Sequence, residues 1–551
     1  MTFVATKGTL YPALAMLAVG AGVIGFAAGR GTAGSQIREG GTFRASIPGI
    51  DYVDPALAYQ PASWALIDLT CAKLMNHPDR PLPDGLRVVP EVAADYPRVS
   101  AGGKLYTFRL RSGFRFNNGA RLTARSFADQ INRILLLGRT LPPGQVFGLQ
   151  YVKDIAGAQD VIDGKASTPS GVAARGNRLV VRLEKPIPDF PARLAMPFFC
   201  AVAPGLPVDP EGVGAHASAG PYYVAAYEPG RRVVIQENRF YRGTRPHHVD
   251  RFDVDLTPTP GEMVDRIERG EADWGWMGGI ALAQRGRELV GKYGVNRNRL
   301  SIRPSPALRY FVLNTERPLF RRNARLRRAI NFAVDRAALT GIRGFLAARA
   351  TDQYLPIGFA GFRDARIYPL RRPDVRRAKA LARGRLRGGK AVLYTADRPL
   401  AVSLAQIVQR DLARIGLQVE IREFPFAVIF AKLATRGEPF DIGWTPGFAA
   451  DYSDPYVFIN LLLDGRQIGG PANENWSYFN SPKYNRLMDR ASRLSGVPRY
   501  RAYAKLDRQL ARDAAPMIAY ATDNHMTFVS NRVGCKILRP ELDLAAVCLK
   551  R

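Results

Sequence analysis

The sequence is short of the residues that most often carry chemistry. Among 551 residues there are five histidines and four cysteines. Neither a phosphate-cradling GxxxxGK[ST] loop nor an HExxH zinc pair is present. With so few histidines, direct metal ligation through imidazole is disfavoured. His247 and His248 are adjacent, so on an extended strand their rings point apart, as befits structural or surface residues. GxGxxG is found twice, at Gly20-Gly22-Gly25 and Gly29-Gly31-Gly34, without the strand–turn–helix unit that a dinucleotide site needs. His216-Ala217-Ser218-Ala219-Gly220 imitates a nucleophile elbow, but histidine stands where its first glycine belongs. Low-complexity tracts and 20–50-residue repeats are also lacking.

Acidic residues are scarce relative to basic ones: 48 Asp and Glu stand against 79 Lys and Arg, a net charge of +31. The arginines crowd at Arg317, Arg321, Arg322, Arg325, Arg327 and Arg328, and again between Arg363 and Lys390. A solvated basic surface is the plain reading. Attraction to an anionic membrane surface is a second. Nucleic acid is a third, weakened because the clusters lack interleaved aromatics for base stacking.

Long apolar runs are confined to the N-terminus. Lys7 precedes an apolar stretch from Leu10 to Ala28, followed by Arg30 and the small residues Gly31 to Ser35. Residues 1–35 therefore read as a signal sequence, or as an uncleaved anchor, since the run is long enough to span a bilayer. No cysteine follows the run to take a lipid. Export makes disulfides plausible. Four cysteines allow three pairings. Cys535–Cys548 is expected as a short local loop and Cys71–Cys200 as a long-range staple, with four buried thiols as the alternative.

What is present is alternating α and β signal. Leu105 to Arg111, Leu179 to Glu184 and Val233 to Glu237 alternate apolar and polar residues, as half-buried strands do. Thr123 is placed to cap a helix whose one face carries Phe127, Ile131, Ile134 and Leu135. Ala324 to Val334 repeats the helical pattern. Ser403 to Ile415 does too, stopped by Gly416 and followed by the strand Gln418 to Ile421. Breaks fall near Pro204–Ala219 and Arg303–Pro306.

Several segments in fixed order carry a resemblance. They are Gly40-Gly41-Thr42-Phe43-Arg44 with Asp54-Pro55-Ala56, and Val89-Pro90-Glu91-Val92-Ala93. Next come Tyr106 to Arg111 with Phe116-Asn117-Asn118-Gly119 and Leu122-Thr123-Ala124, then Gly220-Pro221-Tyr222 with Asn238 and Tyr241. Leu313-Asn314-Thr315 with Val334-Asp335-Arg336, and Ala449-Ala450-Asp451-Tyr452-Ser453-Asp454-Pro455, complete the set. From about residue 40 to 535 the chain resembles family 5 of the bacterial ABC-importer solute-binding proteins, the dipeptide-, oligopeptide- and nickel-binding group.

The resemblance implies an α/β, two-lobed periplasmic-binding-protein-like fold, class II, in its large three-subdomain variant. It implies a lobe I core from 36–75, 203–306 and 521–551, an accessory subdomain at 76–202, and lobe II at 307–520. The implied activity is ligand capture between lobes, with no catalytic residue, metal or cofactor. The implied partners are a peptide or peptide-like ligand and a membrane permease, without nucleic acid, and the protein would be a monomer. It would be periplasmic or at the cell surface, and membrane-associated if the leader stays. Metal chelates, sugars or opines are the alternative ligands. Asp451 would hold the ligand ammonium, flanked by Gly447, Phe448 and Ala449, with Tyr59, Pro61 and Trp64 facing it from the other lobe. The family often has tryptophan where Phe448 stands, and a basic residue in some oligopeptide binders where Thr445 stands.

The cysteine expectation is directly testable. Alkylation of the unreduced protein should label none of the four cysteines, and a non-reduced digest should yield the two linked peptide pairs; four labelled thiols would refute the pairing.

Overall fold

The computed structural model describes residues 37–141, 145–276, 278–468 and 473–551. The proposed leader at 1–35 and both GxGxxG segments lie outside the described residues.

Three sheets organise the chain. A mixed sheet runs Trp274–Gly275, Thr42–Ser46, Arg251–Asp255, Arg232–Glu237, Tyr222–Glu228. Its apolar side chains, among them Phe43, Ile235, Phe252 and Trp274, form one buried core. A four-stranded antiparallel sheet contains Leu105–Arg109 and Arg178–Arg182, and is covered by the helix Ala124–Thr140. Phe108, Phe127, Ile131 and Leu179 lie in its separate core. The third sheet holds Lys390–Ala396 parallel to Gln418–Phe424 and Ile442–Trp444, beside the antiparallel pair Leu300–Leu313 and Met517–Phe528. Phe311, Ile330, Leu393, Leu412 and Phe458 sit in the core around it.

The sequence pattern found these elements with small shifts. Thr123 is the N-cap of Ala124–Thr140. The helix expected from Ser403 starts earlier, at Pro399, because proline's fixed φ suits a first turn that has no partner for its N–H. Gly416 has φ +87° and ends the helix–strand unit as expected. The break read at Arg303–Pro306 is not a chain break. Leu300–Leu313 runs through it as one strand, and pairing with Met517–Phe528 breaks between Pro304 and Leu308 and shifts register again between Arg309 and Tyr310. Pro304 and Pro306 have no N–H to donate, so the ladder loses bonds there. On either side of this gap the two strands join different cores: Leu300 and Phe528 pack in one, Phe311 and Ile518 in the other.

Both expected disulfides are formed, Cys71–Cys200 and Cys535–Cys548. The first fastens the end of the helix Pro61–Thr70 to Cys200, and the two cysteines pack with Ala58 and Ile67.

Buried ion pairs shape the loops that lead to the site. Asp54 is fully buried and takes a two-point bond from Arg133, at 3.1 and 2.7 Å. It also accepts from the amides of Ala56 at 2.9 Å and Val213 at 3.1 Å. Its carboxylate is thus spent on the turn. Asp454 is bound likewise by Arg499, at 2.7 and 2.6 Å, and accepts from the Tyr456 amide at 2.9 Å. Asp507 is different. It accepts from the Tyr354 amide at 2.8 Å and from Gln353 Nε2 at 2.9 Å, without a cation, so burial pushes it up to about 7.

Two outcomes follow. Asp54→Ala strands the buried Arg133 guanidinium and should cost about 3–5 kcal/mol in urea unfolding; a loss below about 1 kcal/mol would refute the pair's importance. Asp507 binds its proton more tightly folded than unfolded, so its stabilising contribution is complete below about pH 4 and fades as pH rises through about 7. Unfolding free energy should therefore fall between about pH 5 and pH 8, and Asp507→Asn should flatten that slope. An unchanged slope would show that Asp507 is not the group.

Candidate functional site

Asp451 lies in the loop that follows the strand Ile442–Trp444, at the C-terminal end of the parallel strands. Ligand sites of open α/β sheets gather at that end. The loop is built in steps. Thr445 Oγ1 donates to the Tyr310 carbonyl at 2.7 Å and accepts from the Gly447 amide at 3.2 Å. Gly447 has φ +94°, and a Cβ there would lie 2.4 Å from the Leu308 carbonyl oxygen, so only glycine fits. Phe448–Ala449 is a two-residue strand opposite Leu308 and Ala307. Among the described residues it pairs on that side alone. Its second edge is open to another extended chain. Phe448 stands edge-on to Phe458 at 5.5 Å and is half-buried against the core.

From segments packed on a different core come phenols. Tyr59 Oη donates to both carboxylate oxygens of Asp451, at 3.3 and 3.4 Å. Tyr151 Oη donates to Asp451 Oδ2 at closer range. The pattern is reciprocated one residue on, where Tyr452 Oη donates to Asp189. The rings of Tyr151 and Tyr452 meet edge-on at 6.1 Å. Asp189 is fully buried, and Arg193 Nε donates to it at 2.9 Å. Burial pushes Asp189 up, but the Arg193 guanidinium and the Tyr452 hydroxyl together hold it below the usual carboxylate range. Desolvation first, then the Asp451 charge, pushes Tyr59 up to about 12. The same causes push Tyr151 up further. Both phenols are therefore neutral donors throughout the ordinary pH range.

Backbone geometry places Tyr59. Asp51 accepts from the amides of Tyr59 at 2.7 Å and Gln60 at 2.9 Å. The Tyr59 ring stacks on Phe147 with centroids 3.9 Å apart and 9° between planes. Trp64 meets Tyr59 edge-on at 5.8 Å and Phe198 at 5.4 Å, and its indole donates to the Ala58 carbonyl. Phe147 is 40% exposed, an apolar ring left open to solvent beside the carboxylate.

The structure thus brings Asp451, Tyr59 and Trp64 together, with Gly447 and Phe448 shaping the loop and Ala449 exposed on it. Pro61 is exposed at the first turn of the helix Pro61–Thr70 and touches none of these groups through a described bond. Sequence reasoning missed Tyr151, Phe147, Phe198, Tyr452 and the Asp189–Arg193 pair. Tyr452 had a signal, its place beside Asp451. Phe147 and Tyr151 share a four-residue spacing, which is common to any helical turn. Asp189 had none. Ser218 does not form a nucleophile: its hydroxyl faces the His216 carbonyl at 3.3 Å, and His216 Nδ1 faces the Gly214 carbonyl.

Comparison with known proteins gives a consistent picture. Residues 87–470 match the profile of the bacterial extracellular solute-binding proteins, family 5 Middle. The chain is 24% identical over 459 residues to the probable deoxycholate-binding periplasmic protein YgiS of Escherichia coli, covering 79% of this chain and 80% of that protein. It is 23% identical over 412 residues to the oligopeptide-binding protein OppA of Bacillus subtilis, covering 71% and 72%. Among solved structures, the clavulanic acid biosynthesis oligopeptide binding protein 2 superposes with a TM-score of 0.75 at 25% identity, over 93% of this chain and 96% of that one.

Proposed function

Because the chain belongs to family 5 of the bacterial extracellular solute-binding proteins, we propose that it captures a peptide or peptide-like solute between its two lobes and hands it to a membrane importer. The family is one of binding proteins, and the reading needs no general acid, base, metal or cofactor. Residues 307–520 act as one lobe and the remainder of the mature chain as the other. The protein works outside the cytoplasmic membrane as a monomer, with residues 1–35 as its export leader.

The observation that carries the reading is the Asp451 carboxylate, shared between the lobes by neutral donors only. A carboxylate offers about four acceptor positions, so two phenols leave room for an ammonium. A ligand α-ammonium adds the opposite charge that the phenols cannot supply. Its peptide chain extends along the open edge of Phe448–Ala449, where backbone bonds give affinity without reading side chains. The Tyr59–Phe147 stack provides an apolar wall for a side chain. A ligand that touches Asp451 and the Tyr59 side at once stabilises the closed arrangement and shifts the population toward it.

Asp451→Ala should weaken binding of a short peptide by about 10- to 150-fold, the equivalent of about 1.5–3 kcal/mol for a charge-assisted bond. N-acetylation of the peptide should cost the intact protein a similar factor and cost the Asp451→Ala variant little more. Calorimetry that finds additive losses would separate the ammonium from Asp451 and sink the assignment. Tyr151→Phe, which keeps the ring, should cost less than Asp451→Ala.

A further inference from the structure

The positive charge is concentrated, and its densest part lies far from Asp451. The helix Ala324–Ala333 packs beside the helix Val375–Ala382. The turn before the first and the loop after the second are tied together. Arg387 Nη1 donates to the carbonyls of Arg321, at 2.8 Å, and Pro318. Asn323 Nδ2 donates to the Arg385 carbonyl at 2.9 Å, and Arg325 Nη2 to the Ala380 carbonyl at 3.2 Å. These bonds gather Arg321, Arg322, Arg325, Arg383, Arg385 and Arg387 on one exposed face. Arg376, Arg377 and Lys379 extend it along the second helix.

Among the described residues none of these nine cations enters an ion pair. Between residues 317 and 333 there is no acidic residue, and between 371 and 390 only Asp374. Asp374 is spent on capping its helix, accepting from the Arg377 amide at 2.9 Å. Arg322 has φ +53°, a left-handed conformation that side chains other than glycine and asparagine seldom adopt. An arginine is kept there although its guanidinium makes no described bond. Arginines elsewhere behave differently: Arg133 and Arg499 are buried on carboxylates.

The face has a definite place. The strand Lys390–Ala396 begins beside it and runs about 20 Å to its C-terminal end. The neighbouring parallel strand Ile442–Trp444 leads from that end to Gly447 and Asp451. The basic face and the ligand site are thus at opposite ends of the sheet. No large apolar side chain is exposed in these segments; those that are exposed, such as Phe147, Phe345 and Leu400, lie elsewhere. The face lacks the apolar centre of a protein interface and the aromatic rings of a single-strand binder.

We propose that this face docks the protein on a bilayer of anionic lipid, with the ligand site turned away from the surface. Guanidiniums without carboxylate partners, spread over two helices and a loop, match a plane of separate phosphates better than a single anion, because the separate cations can reach separate headgroups. A protein of an extracellular family that hands its solute to a membrane importer, as proposed above, works beside a bilayer, which makes the membrane the neighbouring surface. Docking so would hold the protein near the importer while its site samples solute.

The test is sedimentation of the full chain with vesicles of phosphatidylglycerol and phosphatidylethanolamine, against phosphatidylcholine vesicles, over a salt series. The variant carries Arg321→Gln, Arg322→Gln, Arg383→Gln and Arg385→Gln. A control removes the same charge from the accessory sheet, as Lys104→Gln, Arg109→Gln, Arg175→Gln and Arg178→Gln. Partition onto anionic vesicles should fall about tenfold or more for the first variant and about threefold or less for the control, at unchanged melting temperature. The loss should vanish at high salt. Equal losses in the two variants would overturn the proposal, and so would equal binding of the intact protein to neutral vesicles. Should the first variant fail to fold, the salt series on the intact protein decides: partition independent of salt overturns the proposal. Sodium phosphate that displaces the protein better than sodium chloride of equal ionic strength would point to a discrete anion site instead. Tighter, arginine-dependent binding to a short DNA duplex would assign the face to nucleic acid and equally overturn the lipid assignment.

Discussion

The rest of the site depends on one exchange of hydrogen bonds between segments distant in sequence: Tyr59 and Tyr151 donate to Asp451, and Tyr452 donates back to Asp189. A half-buried carboxylate must be hydrogen-bonded, or its desolvation is costly. Phenols meet that need without neutralising it. They carry no charge, and burial beside Asp451 raises their pKa so that they keep their protons. Asp451 therefore keeps free acceptor positions. Asp189 is built the opposite way. It is fully buried, and its Oδ2 already accepts from Arg193 and Tyr452, so it anchors the contact, while its Oδ1 is sealed in without a described partner.

Around this contact the structure spends its buried ion pairs on loops. Asp54–Arg133 fixes the turn before Tyr59, and Asp454–Arg499 fixes the turn after Asp451. Each carboxylate also takes backbone amides, which fits the rule that buried charges persist where every lone pair is used. The two loops are held by separate cores, and the strands Leu300–Leu313 and Met517–Phe528 connect them through a stretch where prolines thin the ladder.

Arginine thus plays two parts here. Buried, it is one half of a two-point bond whose planar fork matches a carboxylate. Exposed on the 321–325 and 376–387 segments, it forms no described ion pair, and the one acidic residue nearby in sequence, Asp374, caps its own helix. Net charge alone did not separate these roles. A count of +31 is the same whether the excess is scattered or gathered on one pole.

The sequence by itself determined the mixed α/β class, most element positions and the family; it left the cysteine pairing as an expectation among three, and the fold brings Cys71 to Cys200. The class, the positions and the family rest on local signals: period-two alternation, the Thr123 cap, the Gly416 stop, and ordered short motifs. It also marked Asp451, because the segment around it is contiguous. Tertiary structure alone decided what Asp451 meets. Tyr151 and Asp189 lie about 300 and 260 residues from their partners, and no local pattern distinguishes them from core residues at such separations. The same is true of the basic face, where helix packing joined two arginine clusters that the sequence lists about 60 residues apart. Local periodicity records which side of an element is apolar; which charged or phenolic groups come to face each other is set only when the elements pack.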